Sequence, residues 1–469
     1  MRNPALLVIL LALGCGTQQA APPPGRRAEA KPPAAPPREA KPAPAGRPGS
    51  DWPGFLGPKG DSTSPEKGIL SPWPENGLRI VWRKRVGAGY GMPAVVGKHL
   101  YQFDRHGDRA RLSCLDRLTG GEVWKFEYPT DYRDSFGYDN GPRCCPVVDG
   151  DRVYIHGAEG MLHCVRATDG KPLWKVDTFQ QFNVVPNFFG VGSTPVVEGD
   201  LLIVQVGGSP KGSDADDFQK LKGNGSGVVA FDKKTGKVKY RITDELASYA
   251  SPVLATIGKR RWCFVFARGG LVGFEPATGK VDFHYPWRSP DLASVNAANP
   301  VVVGDRVLIT ETYGPGAALL KVRPGGCEEV WTDAKKPPRE KGLMCHWNTP
   351  ICHGGYVYGC SGRHTQNADL RCVELATGKV MWRVPRLTRT SLLMVDGHFI
   401  CLGEDGTVRL VKVNPRKYEE VSVWEVKEPG RDVALLEYPC WAAPILAHGL
   451  LYLRGPEWLV CAELIPPAK

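Results

Sequence analysis

One pattern recurs along most of this chain and restricts the folds open to it. A Pro and an apolar pair lead into a Gly-containing turn and an apolar run. A second run then ends in Thr-Gly-Lys or a close variant, followed by an aromatic residue. Cys145-Pro-Val-Val-Asp-Gly-Asp-Arg-Val-Tyr-Ile155, followed by Leu162-His-Cys-Val-Arg-Ala-Thr-Asp-Gly-Lys-Pro-Leu-Trp174, is one copy. Anchored on the first-strand position, the copies fall at Pro93, Pro146, Pro195, Pro252, Pro300, Pro350, Leu393 and Pro444, 43 to 57 residues apart. Repeats of this period mark supersecondary units that cannot bury their faces alone and must pack on their neighbours. Short apolar runs joined by turn chemistry make each unit a four-stranded antiparallel blade. Gly (55) and Pro (42), about a fifth of the 469 residues, exclude a mainly helical body, because neither fits a helix interior.

The aromatic landmark closes copies at Trp124, Trp174, Tyr240, Phe283, Trp331, Trp382 and Trp424, and is absent after Pro444. It stands instead near the start, in Leu78-Arg-Ile-Val-Trp-Arg-Lys-Arg-Val86. Eight inner strands and eight outer aromatics balance only if this first strand completes the last blade. The fold class is therefore all-β: an eight-bladed β-propeller of four-stranded antiparallel blades over residues 51–469, its last blade closed by the N-terminal strand. Each Trp is expected to cover the interface with a neighbouring blade. Cys114, Cys164, Cys372 and Cys461 share one third-strand slot with Ala230 and Gly273, so the slot demands small volume rather than a thiol.

In such blades the Gly-Asp and Thr-Gly turns share one face and every long connection falls on the other. Those connections carry aromatic residues with Arg among them, the composition of binding surfaces. Tyr132, Tyr138, Arg143, Phe188, Phe189, His346 and Trp347 are the candidate partner contacts around the channel mouth. No catalytic residue and no metal set emerges. Cys345-His346 and Cys352-His353 are held roughly 20 Å apart by an intervening strand, too far to share a zinc ion. Gly-x-Ser-x-Gly, a phosphate loop and Cys-x-x-Cys-His are all absent from the sequence.

Ahead of the body, Met1-Arg2 and the apolar stretch from Pro4 to Leu13 end in Gly14-Cys15, the layout of a secretory signal. With Cys15 directly after Leu-Ala-Leu-Gly, residues 1–15 resemble a bacterial lipoprotein signal whose Cys15 is the lipidated first residue of the mature chain. Acyl chains at that position tether a protein to a membrane surface. Residues 16–50 contain ten Pro, six Lys or Arg and two Glu, and are expected to form a disordered Pro/Ala-rich stalk. Of the formal charge of +11, about +6 is dispersed over residues 51–469, which argues against a nucleic-acid partner. The chain is expected to be exported, to be lipid-anchored at the periplasmic face of a bacterial membrane or at the cell surface, and to have a monomeric body.

These repeats resemble the pyrroloquinoline-quinone (PQQ) type of propeller repeat: a first strand ending in Val-x-Gly-Asp, then Leu-x-Cys/Ala-Leu/Phe-Asp-x-x-Thr-Gly-Lys-x-x-Trp. The resemblance implies one of two groups. In the quinoprotein dehydrogenases the propeller holds PQQ and Ca²⁺, and there the vicinal pair Cys144 and Cys145 would be cofactor-binding. The other group comprises non-catalytic lipoproteins similar to the outer-membrane barrel-assembly scaffold, which keep the repeat without the cofactor. Asp51-Trp-Pro-Gly-Phe-Leu-Gly-Pro58 and Trp73-Pro-Glu-Asn-Gly77 resemble the lead-in of that second kind. The chain shows no match to the calcium ligands or catalytic Asp of the first group. The expectation is a membrane-tethered scaffold with no enzymatic activity and no cofactor, binding protein partners through its long-loop face. The alternatives are a PQQ/Ca-dependent oxidoreductase and a propeller that binds polysaccharide or a small ligand.

Overall fold

The computed structural model describes residues 49–214 and 220–467. The leader with Cys15, and the stalk as far as residue 48, lie outside the described residues. Eight sheets form the body. Blade 1 runs from its inner to its outer strand as Ala94–Val96, His99–His106, Arg109–Asp116 and Glu122–Pro129. Blades 2 to 7 repeat this order from inner strands that begin at Val147, Val196, Val253, Val301, Ile351 and Thr390. Blade 8 takes Ile445–Ala447, Leu450–Arg454 and Trp458–Glu463 from the end of the chain and its outer strand, Ile80–Arg85, from the start. Trp82 faces Cys461 and Lys84 faces Leu459 across that seam. The ring is closed as the repeat count requires.

The small-residue slot has a direct cause. Cys114 lies opposite Trp124, Cys164 opposite Trp174, Ala230 opposite Tyr240, Gly273 opposite Phe283, Cys372 opposite Trp382 and Cys461 opposite Trp82. A cross-strand pair places its side chains about 5 Å apart, so in these six blades a small partner makes room for the outer ring, whereas blade 5 sets Leu319 opposite Trp331. The ring then reaches the next blade. Indole N–H groups of Trp82, Trp124, Trp174, Trp331 and Trp382 donate to Arg117 O (2.9 Å), Ala167 O (3.0 Å), Lys233 O (3.1 Å), Leu375 O (2.8 Å) and Asn414 O (2.9 Å). Each acceptor sits in the outer hairpin of the following blade, so every such Trp is a clasp between neighbours. The Thr-Gly turn completes it: at Gly170 (φ +71°) a Cβ would stand 2.5 Å from the Trp124 ring.

Blade 7 departs from this rule. Ser422 occupies the slot opposite Leu410, and Trp424 pairs with Val408 two residues further along. The hairpin that would receive a clasp is interrupted there, because blade 8 is made from both chain ends. Residues from the start of the chain fill the gap. Trp73 meets Trp424 edge to face at 6.4 Å, its backbone N–H donates to Ser422 Oγ (2.9 Å), and Gly77 (φ +77°) lies against the Trp424 ring.

The lead-in from Asp51 to Glu66 forms a strap on the channel side of blade 8. Trp52 exchanges both backbone hydrogen bonds with Val95 of blade 1, and Pro53 O accepts from Val148 of blade 2. Thr63 and Ser64 add a parallel fifth strand to Thr390–Val395 of blade 7. Asp51 Oδ1 meets His448 Nε2 at 2.8 Å, and Glu66 accepts the N–H groups of Ser50, His448 and Gly449. The strap thus bridges four consecutive blades while burying Trp52 and Leu56.

Candidate functional site

A funnel of about 510 Å³ opens on the face of the long connections. Links between blades supply Tyr90, Phe136, Tyr138, Phe188, Phe189, His346, Trp347, Tyr438 and Trp441 to its wall. Links between second and third strands supply Tyr313 and Arg363, and the strap contributes Phe55, Leu56 and Ser62. No Gly-Asp or Thr-Gly turn reaches it. The sorting of short turns and long connections onto opposite faces gathers the aromatic residues at one mouth.

Six of the seven residues singled out from the sequence line this funnel: Tyr138, Arg143, Phe188, Phe189, His346 and Trp347. At the rim Phe136, Tyr138 and Tyr438 are 57, 58 and 56% exposed, although each is a large apolar ring. Phe136 packs on Phe188 (5.7 Å) and Phe189 (5.5 Å), and the Phe189 N–H donates to Tyr249 Oη (2.8 Å). Tyr132 does not line the funnel. Its ring lies beneath the Arg143 guanidinium (5.4 Å) and its carbonyl accepts from Arg105 Nη1 (2.6 Å). Burial without a partner for its hydroxyl pushes Tyr132 up to about 12. Tyr132 holds up the loop that presents Phe136 and Tyr138, together with Asp134, whose Oδ1 accepts the N–H groups of both (2.8 and 3.3 Å).

The centre of the wall was not singled out in the sequence. Trp441 touches Tyr90 (4.7 Å), Trp347 (5.2 Å), Tyr138 (5.9 Å) and Tyr438 (6.1 Å), linking rings from four connections. Arg389 lies over Trp347 (4.5 Å) and Trp441 (5.5 Å) and is clamped by the buried Glu404 (2.6 Å). Glu404 also accepts the Trp441 indole N–H (3.0 Å). Burial alone would raise Glu404, yet the bonds from Arg389 and Trp441 hold its carboxyl below the usual range. The only available signal was composition, since these contacts span connections with no periodicity.

Charge is distributed unevenly. Arg143, Arg363 and Arg389 line the funnel, and no carboxylate does. Each Arg has its acid outside the lining: Asp134 for Arg143, Asp291 for Arg363 (3.0 Å) and Glu404 for Arg389. Three ion pairs therefore point their cationic ends at the cavity. His346 stands beside them, its Nε2 2.9 Å from the Tyr313 hydroxyl. Burial and the charges of Arg389 and Arg363 hold its imidazole down at about 3, so it is neutral.

This donor set does not fit PQQ with calcium. Calcium requires six to eight oxygen ligands, usually with carboxylates among them, and would here face three guanidinium groups. Among the described residues no three His, Cys, Asp or Glu side chains gather to hold a metal. Cys144 and Cys145 are separate thiols. Cys144 Sγ donates to Ser193 O (3.3 Å), while Cys145 lies at the funnel wall with its N–H on Thr194 Oγ1 (3.1 Å). Burial pushes both thiols up, Cys145 to about 12, which leaves them unreactive near neutrality.

Comparison with known proteins places the fold among relatives of both groups. Outer membrane protein assembly factor BamB of Shewanella oneidensis is 23% identical over 267 residues, which cover 54% of this chain and 60% of that protein. Residues of this chain thus match somewhat less than two thirds of that relative's length. The crystal structure of BamB from Moraxella catarrhalis superposes with a TM-score of 0.56 at 14% identity, covering 84% of this chain and 99% of that one. Quinohemoprotein alcohol dehydrogenase from Comamonas testosteroni superposes with a TM-score of 0.60 at 12% identity, covering 89% and 81%. Likeness at that level shows the shared propeller and does not choose between the two groups. The family profile does choose: residues 108–384 match the one described as outer membrane protein assembly factor BamB, more than half of the sequence, and the chain belongs to that family.

Proposed function

We propose that this protein is a non-catalytic propeller scaffold that binds protein partners on its long-connection face during the assembly of outer-membrane proteins. The observation that carries this reading is the rim of Phe136, Tyr138 and Tyr438, each more than half exposed around a funnel walled by Trp347 and Trp441. Clustered exposed aromatic residues backed by Arg are the composition of interaction hot spots. Family membership supports the assembly role, and the donor set of the funnel favours it over a quinone-dependent oxidation. Tethering through an acylated Cys15, with residues 16–50 as a stalk, would hold this face away from the bilayer.

The test is crosslinking and co-purification from native membranes. The wild-type chain should bring down the barrel-assembly machinery, and Tyr138→Ala with Trp441→Ala should weaken capture about tenfold or more, as expected for two hot-spot truncations. Cys15→Ser should move the protein to the soluble fraction. Capture of no assembly component, with dye reduction by the purified chain once PQQ and Ca²⁺ are added, would reverse the proposal.

A further inference from the structure

Beyond partner docking, we propose that the funnel is a binding site for a small aromatic carboxylate, whose flat ring enters among Trp347, Trp441 and Tyr90 and whose carboxylate is taken by Arg363. A cavity of about 510 Å³ has the volume of a small-molecule site. Tyr90 and Trp347 each meet the Trp441 ring at 52–53°, not stacked flat, so the three line the funnel with tilted aromatic faces that an inserted ring can join.

The charge of the ligand follows from which donors remain. Arg389 spends Nε and Nη2 on Glu404 and Nη1 on Arg363 O. Arg143 spends both terminal nitrogens on Asp134, Gly141 O and Asp139 O. Arg363 makes one side-chain hydrogen bond, from Nη1 to Asp291 (3.0 Å), and its side chain is 38% exposed. Its Nε and Nη2 are the adjacent pair that grips a carboxylate through two parallel hydrogen bonds. Tyr313 underlies the guanidinium at 4.4 Å and fixes its plane. With no acid among the lining residues, a ligand cation would meet like charge.

A second observation comes from the wall itself. Trp347 Nε1 and Asn348 Oδ1 are buried polar atoms with no protein partner, although Asn348 uses its other amide atom on Ser391 Oγ (2.9 Å). Of these two, Trp347 Nε1 is a donor, and a ligand carboxylate at the funnel wall is the kind of acceptor it lacks.

The experiment uses the purified full chain and two probes of the same shape, 2-naphthoate and 2-naphthylmethanol, followed by Trp fluorescence quenching and calorimetry. Naphthoate should bind saturably, at least tenfold more tightly than the alcohol. Arg363→Gln should remove that preference and leave the alcohol unchanged, while Arg363→Lys, which keeps charge but not the fork, should fall between. Equal binding of the two probes, no saturable binding of either, or an Arg363→Gln variant that keeps the preference would overturn the proposal. Thermal melts of both variants establish folding. If Arg363→Gln melts early, a naphthoate affinity for wild type that does not weaken between 50 and 500 mM salt would overturn it instead. These measurements involve no protein partner, so their failure leaves the scaffold reading standing.

Discussion

His156 and His163 lie in adjacent strands of blade 2, both almost fully enclosed. Burial holds the first down at about 3 and the second at about 4, against about 6.5 in an unfolded chain. Their folded values are depressed, so the unfolded state binds more protons as the pH falls through 6.5. Stability is therefore complete above that point and declines below it, by about 1.4 kcal/mol per pH unit for each histidine that charges only on unfolding. Chemical denaturation at pH 7 and pH 5 should show a lower midpoint in acid, and His163→Asn should shrink the difference. A midpoint independent of pH over this range would contradict the assignment.

Among elements, the clasp between an outer-strand Trp and the next blade's hairpin gives a matched pair of variants. Gly170 and Gly150 both have positive φ (+71° and +57°), but a Cβ on Gly170 meets Trp124 at 2.5 Å while one on Gly150 meets nothing within 4 Å. Gly150→Ala should cost only the left-handed backbone penalty, about 1 kcal/mol. Gly170→Ala adds the displaced indole and should cost about 2–4 kcal/mol, measured by urea unfolding. Equal losses would mean that the ring does not seat on the turn. This clasp was legible in the sequence because Thr-Gly and Trp recur at fixed offsets, and so was the small slot across from the ring. Trp424 shows where such reading stops. The outer strand of blade 7 carries a Trp at nearly the right distance, but the interrupted hairpin beyond it moves the functional slot to Ser422. The funnel was legible by composition alone. Its rim residues sit in loops rich in Phe and Tyr, whereas Arg363 and Arg389 are placed by Asp291 and Glu404, 72 and 15 residues away, and no local pattern announces such pairs. The strap was legible as a motif but not as a path, since its bonds run to blades far along the chain.

For the molecule as a whole, the seam of blade 8 decides whether the ring stands. Trp82 is 8% exposed, clasps Arg117 O and packs on Tyr452 at 6.0 Å. Trp82→Ala should cost about 3–5 kcal/mol. It should also make amides of Ile80–Arg85 and Trp458–Glu463 exchange hydrogen together, ahead of the other seven blades. Protection at Trp458–Glu463 that matches wild type would show that the blade holds without its outer strand.

The same seam sets an order on the birth of the protein. Ile80–Arg85 leaves the ribosome and any export channel before almost all of the body, yet its neighbour Trp458–Glu463 arrives last. Blades 1 to 7 can form as they emerge, while the earliest strand waits unpaired with its edge open. Trp458–Glu463 must be made before the circle can shut. Any stall short of Trp458–Glu463 therefore leaves a sticky, gap-toothed ring, and a closed fold certifies that this final strand is in place.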